Sequence, residues 1–208
     1  MRLTVFGATG GTGRLVVRRA LEEGHLVTAV ARRPEAVDEQ HPGLEVVKGD
    51  VMDPRTLKIA TDTDAVVYLV GPTGFGSTAV YTRGVENTVE AMTAAGVKRA
   101  VIVTNGLVNT PSDGFPQRLL KMVLRSTVLK GSYDDHVRLQ KIVHRLPLDW
   151  TVVRPPRLLD SPARGVYRTA LDVGLRNGLA IGRADLADAV LQVVGDPKTY
   201  RHAVDVAY

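Results

Sequence analysis

A run of glycines close to the start of the sequence constrains the fold more than any other feature of this chain. The stretch 7–13 reads Gly-Ala-Thr-Gly-Gly-Thr-Gly and directly follows an apolar, β-branched run at 2–6. Residues 14–23 then repeat their apolar side chains with helical spacing, so the predicted order is strand, glycine turn and helix. A backbone in this order can wrap a pyrophosphate and direct the N-terminus of a helix at it.

The glycines are spaced G-x-x-G-x-x-G, which differs from the G-x-G-x-x-G of the ordinary dinucleotide fingerprint. We expect Gly7 to permit the turn off the strand, Gly10 to let a phosphate approach, and Gly13 to bring the helix close to the sheet. Two threonines in the turn supply hydroxyls that cap the helix or reach phosphate oxygens. The alternative is a glycine turn that binds no ligand. The predicted phosphate-binding residues are Gly7, Thr9, Gly10, Gly11, Thr12 and Gly13.

Two arginines follow the second predicted strand, which covers 26–31. Arg32 and Arg33 stand about twenty residues after the glycines, where the ribose of a dinucleotide lies in a doubly wound sheet. An acidic residue there accepts hydrogen bonds from the ribose hydroxyls of NAD, whereas guanidinium groups suit the 2′-phosphate of NADP. The sequence therefore predicts NADP (as NADPH), with a pair of solvated surface arginines as the alternative.

The rest of the chain alternates strand and helix patterns. It predicts one α/β domain over 1–208, with a doubly wound, Rossmann-like parallel sheet of six strands and a substrate side completed by about 155–208. The remaining sheet strands are predicted at 44–48, 65–70, 99–104 and 148–154. Helices are predicted from Asp53-Pro54 onward and at 80–96, 117–130, 133–145 and 183–194. The last residues add a short strand at 166–169, an apolar turn at 179–181 and a final strand at 203–206.

The ends of the later strands supply further cofactor candidates. Asp50 and Val51 border the adenine side of the crevice, although Asp50 is alternatively a loop carboxylate bonded to nearby amides. Gly71, Thr104 and Pro155 stand at the ends of the fourth, fifth and sixth strands and are assigned to the cofactor site. The glycine-rich loop that begins at Gly71 is either a lid over the crevice or a flexible crossover.

Composition and charge exclude several classes of protein. The chain has 208 residues and no cysteine, so disulfides and thiolate metal sites are excluded, and we predict no metal site. No apolar run is long enough to span a membrane, and we expect a cytoplasmic protein. The net charge of +5 suits phosphorylated ligands as well as nucleic acid. The basic helix at 117–130 lacks interleaved aromatic residues, so we do not expect nucleic acid as a partner.

Several stretches in register along the chain carry a family resemblance: 6–13, 48–51, 84–87, 91–92, 134–138, 154–156 and 182–187. With these the chain resembles the atypical short-chain dehydrogenase/reductases, in the NAD(P)-binding group that includes the NmrA-like proteins, and within it the biliverdin-IXβ and flavin reductases. The resemblance implies a Rossmann sheet, NADPH, and hydride transfer to a flavin (FMN or FAD) or a related planar acceptor. It also places Arg32 at the 2′-phosphate.

The chain departs from that group at two positions that face the nicotinamide by analogy with the family. Asn105 stands where the group has a serine, and Arg157 where it has a histidine, and both are candidate catalytic residues. His136 and Lys141 lie on a predicted helix where related proteins line the active site, although packing and surface roles are the alternatives. Trp150 lies within a strand pattern and is expected in the core.

No tyrosine of this chain is followed four residues later by lysine, the pair that protonates the substrate oxygen in many short-chain dehydrogenases. Flavin and quinone reduction need only a hydride and a proton from water, so they remain favoured. Epimerases and dehydratases of nucleotide sugars also depend on that tyrosine and fit less well. The alternative function is a redox sensor that binds NADP(H) and signals to a protein partner with little turnover. The sequence predicts neither the physiological acceptor nor the oligomeric state.

Overall fold

The computed structural model describes residues 1–72, 79–106, 112, 114, 118–119, 122–123 and 130–208. Most of the predicted loops at 71–77 and 107–117, and most of the predicted helix at 117–130, therefore lie outside the described residues. Within those residues the chain is a single α/β domain with a mostly parallel sheet, as the sequence predicts. None of the helices in these ranges is long and apolar enough to cross a membrane.

Strands alternate with helices along most of the described chain. The strands are β1 (Arg2–Phe6), β2 (Leu26–Ala31), β3 (Leu44–Lys48), β4 (Ala65–Tyr68), β5 (Arg99–Val103), β6 (Asp149–Arg154), β7 (Arg157–Leu159), β8 (Arg168–Leu171), β9 (Ala180–Gly182) and β10 (His202–Ala207). The helices are α1 (Gly11–Glu22), α2 (Arg83–Ala95), α3 (Lys130–Val143) and α4 (Arg183–Gly195).

The main sheet has the order β3-β2-β1-β4-β5-β6-β10-β8. Its first six strands run parallel in the order 3-2-1-4-5-6, which is the doubly wound arrangement. The strand order reverses between β1 and β4, so a crevice opens beyond the carboxyl ends of these two strands. Ligands of open α/β sheets bind in such a crevice.

Alternating side chains of the buried strands divide the core into two layers. Leu3 and Val5 of β1 pack in the layer that α1 and α4 cover, whereas Phe6 packs in the layer under α2 and α3. Residues of the central strands are almost fully buried in both layers, as in a sheet that is covered on both faces. Trp150 of β6 is 2% exposed and belongs to the second layer, as expected.

The prediction of six sheet strands is wrong, because the segment after 155 adds two more. β10 pairs parallel with β6, and β8 pairs antiparallel with β10 at the edge. The last four residues of β10 are buried, which favours a strand covered on both faces over a surface segment. The predicted turn at 179–181 is also a strand, β9, which pairs with β7 outside the main sheet.

The helix predicted from Asp53 is wrong as well. Only the 3₁₀ turn Pro54–Thr56 forms there, and Leu57 already returns to extended backbone. Asp53 does act as the expected N-cap, since its carboxylate accepts from the amide of Arg55. A single capped turn does not nucleate a helix when no apolar face with helical spacing follows it.

Arg99 fixes the C-terminal end of α4 against the sheet. It is 5% exposed and donates hydrogen bonds to the carbonyls of Val193 and Val194 at the end of the helix, at 2.5 and 3.1 Å. Its guanidinium also stacks 4.3 Å from the ring centre of Tyr200. Burial lowers the pKa of Arg99 to about 10, which leaves it charged at neutral pH. A cation at a helix C-terminus is favourable, so this contact stabilises the position of α4.

Candidate dinucleotide-binding site

The glycine turn allows the first turn of α1 to pack closely against the carboxyl end of β1. Gly7 has a φ of +83°, and a Cβ on it would lie 2.8 Å from the carbonyl carbon of Leu69. A Cβ on Gly13 would lie 2.1 Å from the carbonyl oxygen of Gly7. These two positions have room only for glycine. Gly10 differs, because a Cβ there would meet only the Gly7 oxygen, at 3.3 Å.

The first turn of α1 fits an anion. Its amides have no intrahelical carbonyl to bind, as at any helix N-terminus. Gly10 is the N-cap residue, no side chain caps the helix, and no acidic residue lies in the first turn. Such amides, together with the positive end of the helix dipole, stabilise a phosphate group. The turn therefore fits the pyrophosphate of a dinucleotide, and Gly10 lies exposed where that group would approach.

Three arginines lie at or near the loop after β2. Arg32 and Arg33 are exposed, and neither forms an ion pair with a described residue. Arg14 comes from α1 and joins this loop to the glycine turn. Its Nε donates to the carbonyl of Thr9 and its Nη2 to the carbonyl of Ala36, both at 3.2 Å. Arg14 is also paired with Asp38 at 2.9 Å, so the guanidinium groups of Arg32 and Arg33 are the ones offered where a ribose phosphate is expected.

The two adenine candidates after β3 have different environments. Asp50 Oδ1 accepts from the amide of Met52 at 2.9 Å, and the Asp50 amide donates to Thr56 Oγ1 at 2.9 Å. This is the loop-carboxylate role named as the alternative. Val51 is 7% exposed, and its carbonyl accepts from Asn87 of α2 at 2.7 Å. The side chain of Val51 is therefore part of the core and offers little surface to an adenine.

The carboxyl ends of β4, β5 and β6 form what we call the acceptor edge, made of Gly71, Thr104, Asn105 and Pro155. Thr104 is 7% exposed, and its hydroxyl donates to the carbonyl of Val153 at 3.4 Å. Pro155 is also buried, and Gly71 has no side chain. Asn105 is half-buried, so it supplies the accessible polar side chain of the acceptor edge.

His136 of α3 is buried and forms a hydrogen bond with the side chain of Asn105. Its Nδ1 lies 3.0 Å from Asn105 Oδ1, and because an amide oxygen only accepts, Nδ1 carries the proton. His136 is fully buried, and no described residue bonds its Nε2. Burial and the nearby charge of Arg154 lower the pKa of His136 to about 4, so the ring is neutral at neutral pH. Its full burial and its contact with Asn105 indicate a residue that positions Asn105, and the catalytic role expected from the sequence stays a prediction.

The other two predicted catalytic residues are both exposed. Lys141 is exposed on α3 and follows His136 by five residues, which is about 140° around the helix. Its side chain therefore leaves α3 on a different side from that of His136, and its catalytic role stays a prediction. Arg157 is exposed on β7, next in the chain after the Pro-Pro pair, and forms no ion pair with a described residue.

Two charged residues that the sequence analysis did not assign to the site shape it. Asp135 is fully buried, and its carboxylate accepts from the amides of Tyr81 and Thr82, at 2.8 and 3.2 Å, just before α2. Arg183, the first residue of α4, has its Nη1 3.3 Å from Thr12 Oγ1. A signal was available for Arg183, because a cation in the first turn of a helix is electrostatically disfavoured and calls for another role.

These features define a class of protein: a doubly wound α/β domain with a glycine turn built for a dinucleotide. Residues 7–197 match the model of a family described as NAD(P)H-binding, and the chain belongs to that family. Membership of this family confirms the NAD(P)H-binding part of the resemblance found in the sequence.

Curated relatives are similar to this chain over different shares of their own length. An uncharacterized chloroplastic protein of Arabidopsis thaliana is 30% identical over 79% of this chain, which spans 61% of that relative. A protein of Bacillus subtilis described as an uncharacterized sugar epimerase is 26% identical, over 99% of this chain and 94% of its own. The Arabidopsis relative is therefore considerably longer than the chain studied.

Solved structures match the whole chain at low identity. A short-chain dehydrogenase/reductase of Veillonella parvula in complex with NADP has a TM-score of 0.79 at 16% identity, covering 100% of this chain and 94% of that one. ChuY of Escherichia coli, described as an anaerobillin reductase, has a TM-score of 0.77 at 20% identity, covering 100% and 97%. At these identities the likeness shows a shared fold.

The glycine turn leads to a first prediction. Gly10→Val places its side chain in the path of the pyrophosphate but meets only one backbone atom, at 3.3 Å from its Cβ. We expect this variant to keep the melting temperature of the parent and to lose NADPH binding in a fluorescence titration. Gly13→Ala is the matched comparison, because its methyl collides with the Gly7 carbonyl and lowers the melting temperature itself. Parent affinity in Gly10→Val would contradict the assignment of the turn.

The buried His136 leads to a second prediction, on pH. Its pKa of about 4 in the folded protein lies below the ordinary value of about 6.5, so the unfolded chain binds more protons between these values. This group therefore removes stability as the pH falls from about 6.5 to about 4. We expect the urea concentration at the midpoint of unfolding to fall less between pH 7 and pH 5 in His136→Asn than in the parent protein. An unchanged fall in His136→Asn, or an equal reduction in the exposed control His144→Asn, would contradict the assignment.

Proposed function

We propose that the protein is an NADPH-dependent reductase that transfers hydride to flavins or related planar acceptors of the biliverdin or quinone type. The observation that carries the proposal is the chemistry of the acceptor edge. Among the described residues there, Asn105 is the polar side chain within reach of the crevice, and the histidine behind it is buried and neutral. The described residues of the edge thus orient an acceptor, and none of them is an acid that works near neutral pH.

The absence of a Tyr-x-x-x-Lys pair from the whole sequence also favours a planar acceptor over a simple carbonyl compound. Reduction of a simple carbonyl develops charge on one oxygen, which needs a nearby proton donor. A flavin or quinone spreads that charge over a conjugated ring and can take its proton from water. Bound NADPH supplies the hydride, and the chain's own residues hold the acceptor and the cofactor together. The reductase activity in the description of ChuY, which shares the fold, is compatible with this proposal.

The preference for NADPH over NADH rests on the arginines after β2. Arg32 is exposed and has no ion-pair partner among the described residues, so its charge is available to a 2′-phosphate. The cofactor in the Veillonella structure is NADP, which supports the same choice by analogy of fold.

Arg32→Asp tests that preference. Losing one charge-assisted contact costs about 1.5–3 kcal/mol, so we expect NADPH to bind at least about tenfold more weakly, with NADH unchanged or improved. The measurement is a titration of each cofactor by fluorescence. Arg145→Asp, an exposed arginine beyond α3, makes the same change of charge away from the loop and should leave the ratio of affinities unchanged. Equal losses for both cofactors in Arg32→Asp would make Arg32 a structural residue.

The reductase activity itself is tested by following NADPH absorbance with FMN and with lumiflavin, which lacks the phosphate. We expect turnover with both. We expect Arg157→Ala to slow FMN more than lumiflavin, because an exposed guanidinium on β7 can hold the FMN phosphate, whereas NADPH affinity should not change. The control Arg145→Ala should leave both rates unchanged. Equal slowing of both acceptors would remove Arg157 as the phosphate contact, and tight NADPH binding without turnover of any acceptor would favour the redox sensor.

A further inference from the structure

The guanidinium of Arg183 lies on the first turn of α1, although the two residues it meets there are about 170 positions away in the sequence. Its Nη1 is 3.3 Å from Thr12 Oγ1. A Cβ on Gly11 would lie 3.2 Å from both Cδ and Nε of Arg183, so the side chain rests directly against that glycine. The arginine is thus placed beside the turn that fits a pyrophosphate.

This placement is unfavourable for a cation unless an anion compensates it. The N-terminus of α1 carries the positive end of its helix dipole, and its first turn contains no acidic residue. Arg183 also begins α4, so the positive end of a second helix lies at its own backbone. The first turn of α4 contains Asp185, but that carboxylate accepts hydrogen bonds from the amides of Arg164 and Gly165 and from the hydroxyl of Tyr208. In the structure the compensating anion is Asp160, whose Oδ1 lies 2.7 Å from Arg183 Nε.

Asp160 is a weak permanent partner. Its side chain is 84% exposed, whereas that of Arg183 is 30% exposed. Ion pairs with so exposed a partner contribute little to stability, because water screens them and solvates the carboxylate when it is released. A pyrophosphate bound at the first turn of α1 offers more charge and fixed geometry, and guanidinium groups bind phosphate oxygens with two parallel hydrogen bonds.

We propose that Arg183 is a ligand of the cofactor's pyrophosphate and that Asp160 is the internal counter-ion which the pyrophosphate displaces. The proposal rests on dinucleotide binding, which the family membership establishes, and not on the acceptor proposed above. It gives the C-terminal part of the chain a share in the cofactor site. Asp160 directly follows β7. Its displacement from Arg183 by the pyrophosphate would therefore connect cofactor binding with the strand that carries Arg157.

The test compares cofactor affinities of Arg183→Met, Asp160→Asn and the double variant by titration with NADPH and with NADH. We expect Arg183→Met to weaken both cofactors by about the same factor, roughly tenfold or more, since both contain the pyrophosphate. Asp160→Asn should tighten both by about two- to fivefold, because the competing anion is gone. In the Arg183→Met background, Asp160→Asn should have no effect on either affinity.

The exposed ion pair of Arg2 and Asp62, 3.2 Å long at the amino end of β1, provides matched controls. Arg2→Met and Asp62→Asn make the same changes of charge and should leave both affinities within about twofold. Arg183→Lys covers the case in which Arg183→Met fails to fold, and should retain part of the affinity, since lysine keeps the charge without the fork.

Three results would overturn the proposal: parent affinity in the folded Arg183 variants, a loss confined to NADPH, or weaker binding in Asp160→Asn. The first would remove the contact with the pyrophosphate. The second would move Arg183 to the 2′-phosphate, and the third would make its pair with Asp160 a structural support of the site. All three are binding measurements, so they are independent of whether flavins are reduced.

Discussion

The contact between Gly13 and the carbonyl of Gly7 is the constraint on which the rest of the site depends. The two backbones approach so closely that a single methyl on Gly13 would lie 2.1 Å from the Gly7 oxygen. This approach sets the start of α1 directly beyond β1, with the amides of its first turn open at the crevice. The strand order reverses at the same place, between β1 and β4, so the sheet provides an opening where the helix provides a positive end.

Local sequence pattern predicts this half of the molecule well, because its determinants are local. The bounds of β1, β2 and β3 agree with the predicted strands, since apolar, β-branched runs end there at glycine or arginine. The helix expected after Asp53 fails for a reason that is also local, since capping residues start a turn but cannot extend it. The positions of β10 and β8 depend instead on long-range pairing, of β10 with β6 and of β8 with β10, which no neighbouring residue encodes.

The contrast between local and long-range determinants also applies to the candidate site, whose phosphate-binding end is local in sequence and whose acceptor edge is not. The residues of the glycine turn and the arginines after β2 follow from spacing along one strand–helix–strand unit. The acceptor edge is assembled from the ends of β4, β5 and β6, and the contact of Asn105 with His136 of α3 joins residues 31 positions apart. Sequence reasoning chose both residues by analogy with a family but could not show that one is buried behind the other. Lys141 was chosen in the same way, and the helical angle alone separates it from His136.

A neutral histidine behind Asn105 has a chemical consequence for the proposed reaction. A charged imidazole there would fix a positive charge beside the acceptor, but burial and Arg154 keep the ring uncharged down to a pH near 4. Asn105 is therefore oriented by a group that neither gives nor takes a proton at neutral pH. An edge of this kind accelerates reductions in which the acceptor itself disperses the negative charge that arrives with the hydride. Otherwise a cation from elsewhere in the chain, such as Arg157, has to stabilise that charge. Planar conjugated acceptors satisfy the first condition, which is why we propose them for this site in preference to simple carbonyl compounds.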